Sequence, residues 1–137
     1  MAGDIRHIVS VESSQTAAGD LKYNLPVNGK AVQATTEQYL AELGDKGRVG
    51  KGALPQQFPH KPDLIVVDPP RSGLGDPVAR ALANTSAPRV TYVSCDPATL
   101  ARDLVPLLAA GYRVKEWHLV DLFPQTYHIE SVVQLVR

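Results

Sequence analysis

The chain has 137 residues, which fits one domain, and its composition of 44% hydrophobic and 20% charged residues is ordinary for a globular protein. Its 14 basic and 14 acidic residues balance, which argues against a stand-alone nucleic-acid binder, and its single cysteine excludes an internal disulfide and a cysteine-rich metal or iron–sulfur site. We find no apolar run long enough for a membrane span and no signal peptide, so we expect a protein of the reducing cytoplasm.

The chain begins with a predicted strand and helix. Residues 7–11 form a short apolar run that ends at Glu12, which predicts a buried strand with an acid at its carboxyl end. Ser13 or Ser14 then caps a helix that runs to about Asn24.

A second strand–helix pair and a loop follow. Residues 31–34 predict a weak strand, and Thr35 or Thr36 opens a helix that ends at Gly44. Residues 44–62 are rich in glycine, proline and basic residues, which predicts a loop.

The clearest strand of the chain is predicted for residues 63–68. Its continuous apolar run between two aspartates is typical of a parallel strand that is covered on both faces. Residues 69–75 contain two prolines and two glycines and predict a rigid turn. A helix then runs from Asp76 to about Asn84.

The only cysteine lies in a predicted strand-to-helix turn. Residues 90–93 are β-branched or aromatic and end abruptly before Cys95, whereas Asp96 offers an N-cap and Pro97 suits the first helical position. Unpaired N–H groups at a helix start stabilise a thiolate, so Cys95 is a candidate nucleophile. The alternative is that Cys95 is a small buried hydrophobe.

The remaining chain predicts one helix and two strands. Pro106 falls inside the helical pattern, where it kinks the helix or ends a first segment, and the pattern stops at Gly111. Residues 112–120 and 128–136 predict strands without a helix between them, which favours an antiparallel pair at one edge of the sheet.

Strand–helix alternation predicts a three-layer α/β domain over residues 1–137, with a mainly parallel sheet. Parallel strands end at one edge of such a sheet, so we expect Glu12, Asp68 and Cys95 to meet there and form a site.

Further residue patterns suit the chemistry of such a site. Two prolines after Asp68 stiffen the backbone and leave carbonyls free to face a planar ligand. Glu12 suits a ribose diol, and Glu130, two residues after His128 on a strand, suits a general base. Each pattern also has a plain structural interpretation, as a strand-to-helix turn or as exposed polar residues.

Three blocks of the sequence together resemble a known family. They are Asp-Pro-Pro-Arg-Ser-Gly-Leu-Gly at 68–75, Ser-Cys-Asp-Pro-Ala-Thr-Leu-Ala-Arg-Asp at 94–103 and Phe-Pro-Gln-Thr-Tyr-His-Ile-Glu at 123–130. In this order and spacing they resemble the conserved blocks of the RNA 5-methyluridine (uracil-C5) methyltransferases. The resemblance extends over roughly residues 7–137, which correspond to the family's C-terminal catalytic domain.

The resemblance implies a Rossmann-like class I methyltransferase fold and methyl transfer from S-adenosyl-L-methionine to C5 of a uridine in rRNA or tRNA. It implies that Cys95 is the nucleophile, that Glu130 is the base and that Glu12 and Asp68 contact the cofactor. Thr35 falls where many members carry Asp or Asn near the adenine, which is a departure from the family. The uracil pocket is expected to include Pro69, Pro70, Arg71 and His128.

The resemblance also implies that part of the family's catalytic domain is absent. Family members carry a glycine-rich strand and turn about twenty residues before the acid matched by Glu12, and this chain shows no such motif. We therefore expect an N-terminally truncated domain that lacks the first, glycine-loop strand and needs further chain for strong cofactor binding.

Two alternatives to a methyltransferase remain open from the sequence. One is an incomplete, non-catalytic chain that binds RNA or a partner. The other is a thiol hydrolase that uses Cys95 with His128, although this leaves the Asp-Pro-Pro-Arg motif unexplained.

Overall fold

The computed structural model describes residues 5–44, 61–122, 124–126 and 129–137. The chain forms two compact units, Met1–His60 and Lys61–Arg137.

The first unit contains two strands and two helices in alternation: β1 (Ile8–Glu12), α1 (Gln15–Asn24), β2 (Gly29–Gln33) and α2 (Thr36–Gly44). The two strands pair in parallel, from Ile8 opposite Gly29 to Glu12 opposite Gln33. Ala18, Val32 and Leu40 are its buried apolar residues. The predicted strand–helix order is confirmed, and Glu12 is the last residue of its strand.

Side-chain caps explain where the helices of this unit begin. The Ser14 hydroxyl accepts a hydrogen bond from the Ala17 amide and caps α1. Thr35 and Gln38 form a reciprocal capping box, in which the Gln38 amide donates to Thr35 Oγ1 at 3.2 Å and the Thr35 amide donates to Gln38 Oε1 at 3.0 Å.

The second unit carries four strands and two helices: β3 (Ile65–Val67), α3 (Asp76–Asn84), β4 (Arg89–Ser94), α4 (Pro97–Ala109), β5 (Arg113–Val120) and β6 (Glu130–Val136). Its sheet has the order β3-β4-β6-β5, in which β3 and β4 are parallel and β6 runs antiparallel to both β4 and β5. The predicted antiparallel edge pair is therefore confirmed.

The core of the second unit lies between one face of the sheet and the two helices. Val90 and Tyr92 of β4 share this face with Val133 and Leu135 of β6, and all four are at most 1% exposed. They are buried by apolar residues of α3 and α4, which include Leu82, Leu100 and Leu107. Because strand side chains alternate between faces, one period-2 set of each strand forms this core.

The prediction that the strand at 63–68 is covered on both faces is wrong for the described residues. The strand β3 has three residues, and Val67 is 8% exposed whereas Val66, on the opposite face, is 61% exposed. The helices of this unit cover the face that carries Val67, and β3 is the edge strand of its sheet. An apolar run of this kind does not reveal whether one face or both are covered.

Helix α4 continues through Pro106 to Ala109, so the proline does not end a segment. The ring removes only the amide that would bond to the carbonyl of Arg102, and Leu104 and Leu107 remain buried on either side of it. No helix in the described part of the chain is long and apolar enough to cross a membrane.

Candidate active site

Cys95 lies in a tight turn between β4 and α4. The Ser94 hydroxyl accepts a hydrogen bond from the Asp96 amide at 3.1 Å and donates one to the Asp96 carbonyl at 2.9 Å, so the two neighbours of Cys95 are bonded across it. The Cys95 thiol is free and half-buried. Its position is therefore determined by the strand before it and the helix after it.

Asp96 is the N-cap of α4, as its sequence position predicts. Its carboxylate accepts a hydrogen bond from the Thr99 amide at 2.8 Å. This hydrogen bond is the main reason why the pKa of Asp96 lies below its ordinary value, and the positive charge of Arg71 acts in the same direction. Arg71 therefore lies close enough to the start of α4 to stabilise a negative charge there.

Cys95 and Glu130 lie at the end of the pairing between β4 and β6. The paired residues run from Arg89 opposite Val136 to Ser94 opposite Ser131. Cys95 directly follows β4 and Glu130 is the first residue of β6, so the two residues come immediately beyond the last pair of this register. A thiol and a half-buried carboxylate that are far apart in sequence thus lie at the same end of one strand pair.

Residues 68–75, here named the Pro-Pro loop, connect β3 to α3. Asp68, Pro70 and Arg71 are exposed and Pro69 is half-buried. The Gly73 amide donates to the Pro70 carbonyl at 2.8 Å and closes a turn inside the loop. Because Asp68 follows β3 and β3 pairs in parallel with β4, the loop leaves the same edge of the sheet as Cys95.

The Pro-Pro loop is bonded to α4 at three points. Thr99 Oγ1 donates to the Arg71 carbonyl at 3.1 Å, and Arg102 Nη2 donates to the Ser72 carbonyl at 2.7 Å. The Leu74 amide donates to Asp103 Oδ2 at 2.6 Å. The structure thus joins the loop that carries Asp68 to the helix that begins after Cys95.

Sequence reasoning assigned no role to Thr99, Arg102 or Asp103. One signal was present, because Asp103 occupies a position on the apolar stripe formed by Leu100, Leu104 and Leu107. A carboxylate at such a position predicts a buried polar contact, although it does not identify the partner.

Glu12 and Thr35 belong to the first unit. Glu12 Oε1 accepts the Ser14 amide at 2.8 Å, which orients the half-buried carboxylate at the carboxyl end of β1. The Thr35 hydroxyl is engaged in the capping box with Gln38. The expectation that Glu12 meets Asp68 and Cys95 at one edge stays a prediction, and His128 lies outside the described residues.

Two cavities among the described residues are lined by residues other than Cys95. A cavity of about 250 Å³ lies beside Arg89, at the opposite end of β4. Another, of about 530 Å³, lies along β2 and α2 in the first unit. Within the described ranges, no group of three or more His, Cys, Asp or Glu side chains is placed to hold a metal ion.

Comparison with known proteins identifies relatives of the chain. Residues 60–137 match the family model described as tRNA (uracil-5-)-methyltransferase. Relatives described as uncharacterized RNA methyltransferases include one from Thermotoga maritima, 38% identical over 130 residues, and one from Halalkalibacterium halodurans, 41% identical over 135 residues. These alignments cover 95% and 98% of the chain but only 27% and 28% of the relatives.

Solved structures agree with this result. The structure of Pyrococcus abyssi tRNA (uracil-54, C5)-methyltransferase, a complex with S-adenosyl-L-homocysteine, matches with a TM-score of 0.69 and 28% identity, over 95% of the chain and 29% of that protein. A precorrin-6y C5,15-methyltransferase from Geobacter metallireducens matches with a TM-score of 0.61 and 16% identity, over 96% of the chain and 68% of that protein, which shows the fold alone. The chain therefore has the Rossmann-like fold of class I methyltransferases and belongs to the tRNA (uracil-5-)-methyltransferase family.

Proposed function

We propose that the chain carries the catalytic centre of an RNA methyltransferase that transfers a methyl group from S-adenosyl-L-methionine to C5 of a uridine. The observation that carries this proposal is the β4–β6 register, which runs to Ser94 opposite Ser131 and leaves Cys95 and Glu130 as the next residue of each chain segment. Family membership supports the reaction class, and the Pyrococcus abyssi relative supports a tRNA substrate and the S-adenosyl cofactor.

Cys95 and Glu130 would serve successive steps at the uracil ring. C5 of uracil is a weak nucleophile, and addition of the Cys95 thiolate to C6 pushes an electron pair towards C5 as an enolate. After C5 has gained the methyl group, it still carries its original hydrogen. The Glu130 carboxylate accepts that proton, the electrons reform the C5–C6 double bond, and the Cys95 sulfur leaves with the electron pair of its bond to C6.

Two carboxylates of the described residues have the chemistry to accept hydrogen bonds from the cofactor. Glu12 ends a parallel strand with an oriented, half-buried carboxylate, the type of acceptor that binds ribose hydroxyls. Asp68 is exposed at the carboxyl end of β3 and would contribute to the cofactor and uracil pocket. When bound, S-adenosyl-L-methionine supplies an electrophilic methyl group. The chain's own residues bind this methyl donor and activate the uracil ring that accepts the methyl group.

RNA binding in this proposal uses the Pro-Pro loop. A target uridine must leave its stack before a thiol can reach C6. Pro69 and Pro70 offer a stiff surface without N–H donors, and Arg71 adds a positive charge near the Cys95 turn. These features suit a flat base with a phosphate nearby. We also propose that the protein works in the reducing cytoplasm.

Covalent trapping tests the proposed function. The chain is mixed with S-adenosyl-L-methionine and a short RNA that contains 5-fluorouridine, and the products are separated on a denaturing gel. Fluorine at C5 cannot leave as a proton, so a methylated protein–RNA adduct should accumulate with the unchanged protein. Cys95→Ala should abolish the adduct, whereas Glu116→Gln, an exposed charge change on the adjacent strand β5, should not.

Two outcomes would contradict the proposal. One is an adduct that persists in Cys95→Ala, which would assign the nucleophile elsewhere. The other is the absence of an adduct from folded, unchanged protein that binds both the RNA and S-adenosyl-L-methionine, which would favour the non-catalytic alternative.

A further inference from the structure

Asp103 is a buried carboxylate with a complete set of partners. It is 1% exposed and lies on the apolar stripe of α4. Oδ2 accepts the Tyr92 hydroxyl at 2.7 Å and the Leu74 amide at 2.6 Å, and Oδ1 accepts Arg102 Nε at 3.0 Å and Nη2 at 2.9 Å. Burial of a carboxylate is costly unless it is paired and hydrogen-bonded in this way.

The partners of Asp103 come from three different segments. Tyr92 lies on β4, three residues before Cys95, and Arg102 lies on α4, which begins two residues after Cys95. Leu74 belongs to the Pro-Pro loop. A single carboxylate therefore connects the strand that enters the Cys95 turn, the helix that leaves it and the loop that carries Asp68.

Arg102 adds a second link between the same segments. Its Nη2 bonds to both Asp103 Oδ1 and the Ser72 carbonyl, so one guanidinium group joins α4 to the backbone of the loop. We name Arg102 and Asp103 together the α4 clamp. Since the Ser72 carbonyl and the Leu74 amide flank Gly73, the clamp holds the backbone on both sides of that glycine.

A hydrophobic residue at position 103 would fill the core at less electrostatic cost, because no charge would have to be removed from water. Such a residue could not accept a hydrogen bond from a backbone amide of the loop. The geometry therefore points to a role in placing the loop.

We propose that Arg102 and Asp103 are positioning residues, which hold the Pro-Pro loop at a fixed place relative to Cys95. The consequence for catalysis rests on the proposed function, because Asp68 and Arg71 would then be held where the uracil and the cofactor bind. The placement of the loop itself does not depend on that function.

Amide hydrogen exchange tests the placement directly in the full chain. Arg102→Gln removes the half-exposed guanidinium, and Asp103→Asn supplies only one acceptor oxygen where the carboxylate has two. Each variant should speed exchange of the Leu74 amide by roughly tenfold or more, as the loss of a charge-assisted hydrogen bond implies. Arg80→Gln is the matched control, because Arg80 forms an exposed pair with Asp76 on α3 and does not bond to residues 70–74 in the described contacts.

The trapping reaction supplies the readout that a purely structural role would not move. A loss of folded protein lowers the amount of adduct but leaves unchanged the RNA concentration that gives the half-maximal rate. A displaced loop should raise this RNA concentration several-fold in Arg102→Gln. The rate at which iodoacetamide alkylates the Cys95 thiol should stay unchanged in the same variant. Arg80→Gln should match the unchanged protein in both measurements.

The proposal is overturned if Leu74 exchanges at the unchanged rate in both clamp variants, or if Arg80→Gln alters the RNA concentration as much as Arg102→Gln does. Absence of an adduct from an unchanged chain that binds both the RNA and S-adenosyl-L-methionine would contradict the proposed function instead. In that case the Leu74 exchange alone decides whether the clamp places the loop.

Discussion

Gly73 shows how a single residue allows the Pro-Pro loop to approach α4. It has a φ of +74°, a conformation that disfavours any side chain. A Cβ at this position would also meet the Asp103 carboxylate and the Arg102 guanidinium at distances that real Cβ atoms do not reach. Glycine is therefore favoured here for two independent reasons, its positive φ and the α4 clamp.

Replacing this glycine should separate the two reasons. Gly73→Ala should lower the free energy of unfolding by the strain of a positive φ, about 1–2 kcal/mol, and by a further ~1–3 kcal/mol of overpacking. Gly111→Ala is the control for backbone strain, because Gly111 has a φ of +94° and its nearest Cβ contact is at 3.9 Å. Urea denaturation of both variants measures the difference. Equal losses would show that α4 does not press on Gly73.

Asp96 predicts an acid-sensitive helix start. Its pKa in the folded chain is depressed, chiefly by the Thr99 amide, so the ionised form is favoured by folding. The contribution of Asp96 to stability is present above its ordinary pKa of 3.8 and is lost as the pH falls through the lower, folded value. Asp96→Asn, which keeps a capping oxygen, should weaken this acid dependence. An unchanged slope of the urea midpoint against pH below 4 would contradict the assignment.

At the scale of elements, the proposed catalytic pair depends on the antiparallel pairing of β4 with β6. Cys95 comes directly after β4 and Glu130 begins β6, and the proposed apposition of the two extends by one step a register that is regular from Arg89 to Ser94. A register shift of one residue would turn Glu130 to the other face of the sheet. The irregularity between Val114 and Glu116 lies in the pairing of β5 with β6 and leaves this register intact.

A disulfide tests this register because the chain contains one cysteine. Glu130→Cys should form an intramolecular disulfide with Cys95 under mild oxidation, since directly opposed positions bring Cα atoms within the range that a disulfide spans. Glu116→Cys, on β5, should remain reduced. Mass spectrometry of alkylated and unalkylated peptides distinguishes the two. A reduced Glu130→Cys variant would contradict the register at this end of the sheet.

The elements themselves were largely predictable from local chemistry. Ser14 and Asp96 are capping residues by type and position, and the structure places them as N-caps of α1 and α4. The extent of β3 was not predictable, because its apolar run does not reveal which face the helices cover. The contact of Leu74 with Asp103 was not predictable either, since a backbone amide donor leaves no mark in the sequence.

The whole molecule divides into two units, and the proposed site residues are distributed between them. Cys95, Glu130 and the Pro-Pro loop belong to residues 61–137, whereas Glu12 and Thr35 belong to the first unit. The family match also covers residues 60–137. The proposed catalytic and uracil-binding residues therefore lie in the second unit, and the proposed ribose contact lies in the first.

The second unit should lose stability at alkaline pH. Burial, reinforced by the hydrogen bond to Asp103, raises the pKa of Tyr92, and burial also raises the pKa of Tyr112, whose hydroxyl donates to the Ala87 carbonyl at 2.6 Å. A raised folded pKa gives stability that is fully present below the ordinary value of 10 and is lost as the pH rises through the folded value. The urea midpoint, followed by fluorescence of Trp117, should fall above pH 10. A midpoint that stays level there would contradict the burial of both hydroxyls.

The most direct test of the pairing between Cys95 and Glu130 uses RNA with ordinary uridine. Glu130→Gln, with S-adenosyl-L-methionine present, should stop after the methyl group has reached C5, because the proton there has no base to accept it. Mass spectrometry should then find a methylated uridine joined to Cys95, whereas Glu116→Gln should release methylated RNA as the unchanged protein does. Free methylated RNA from Glu130→Gln at the unchanged rate would contradict the account, because some other group would then be the base.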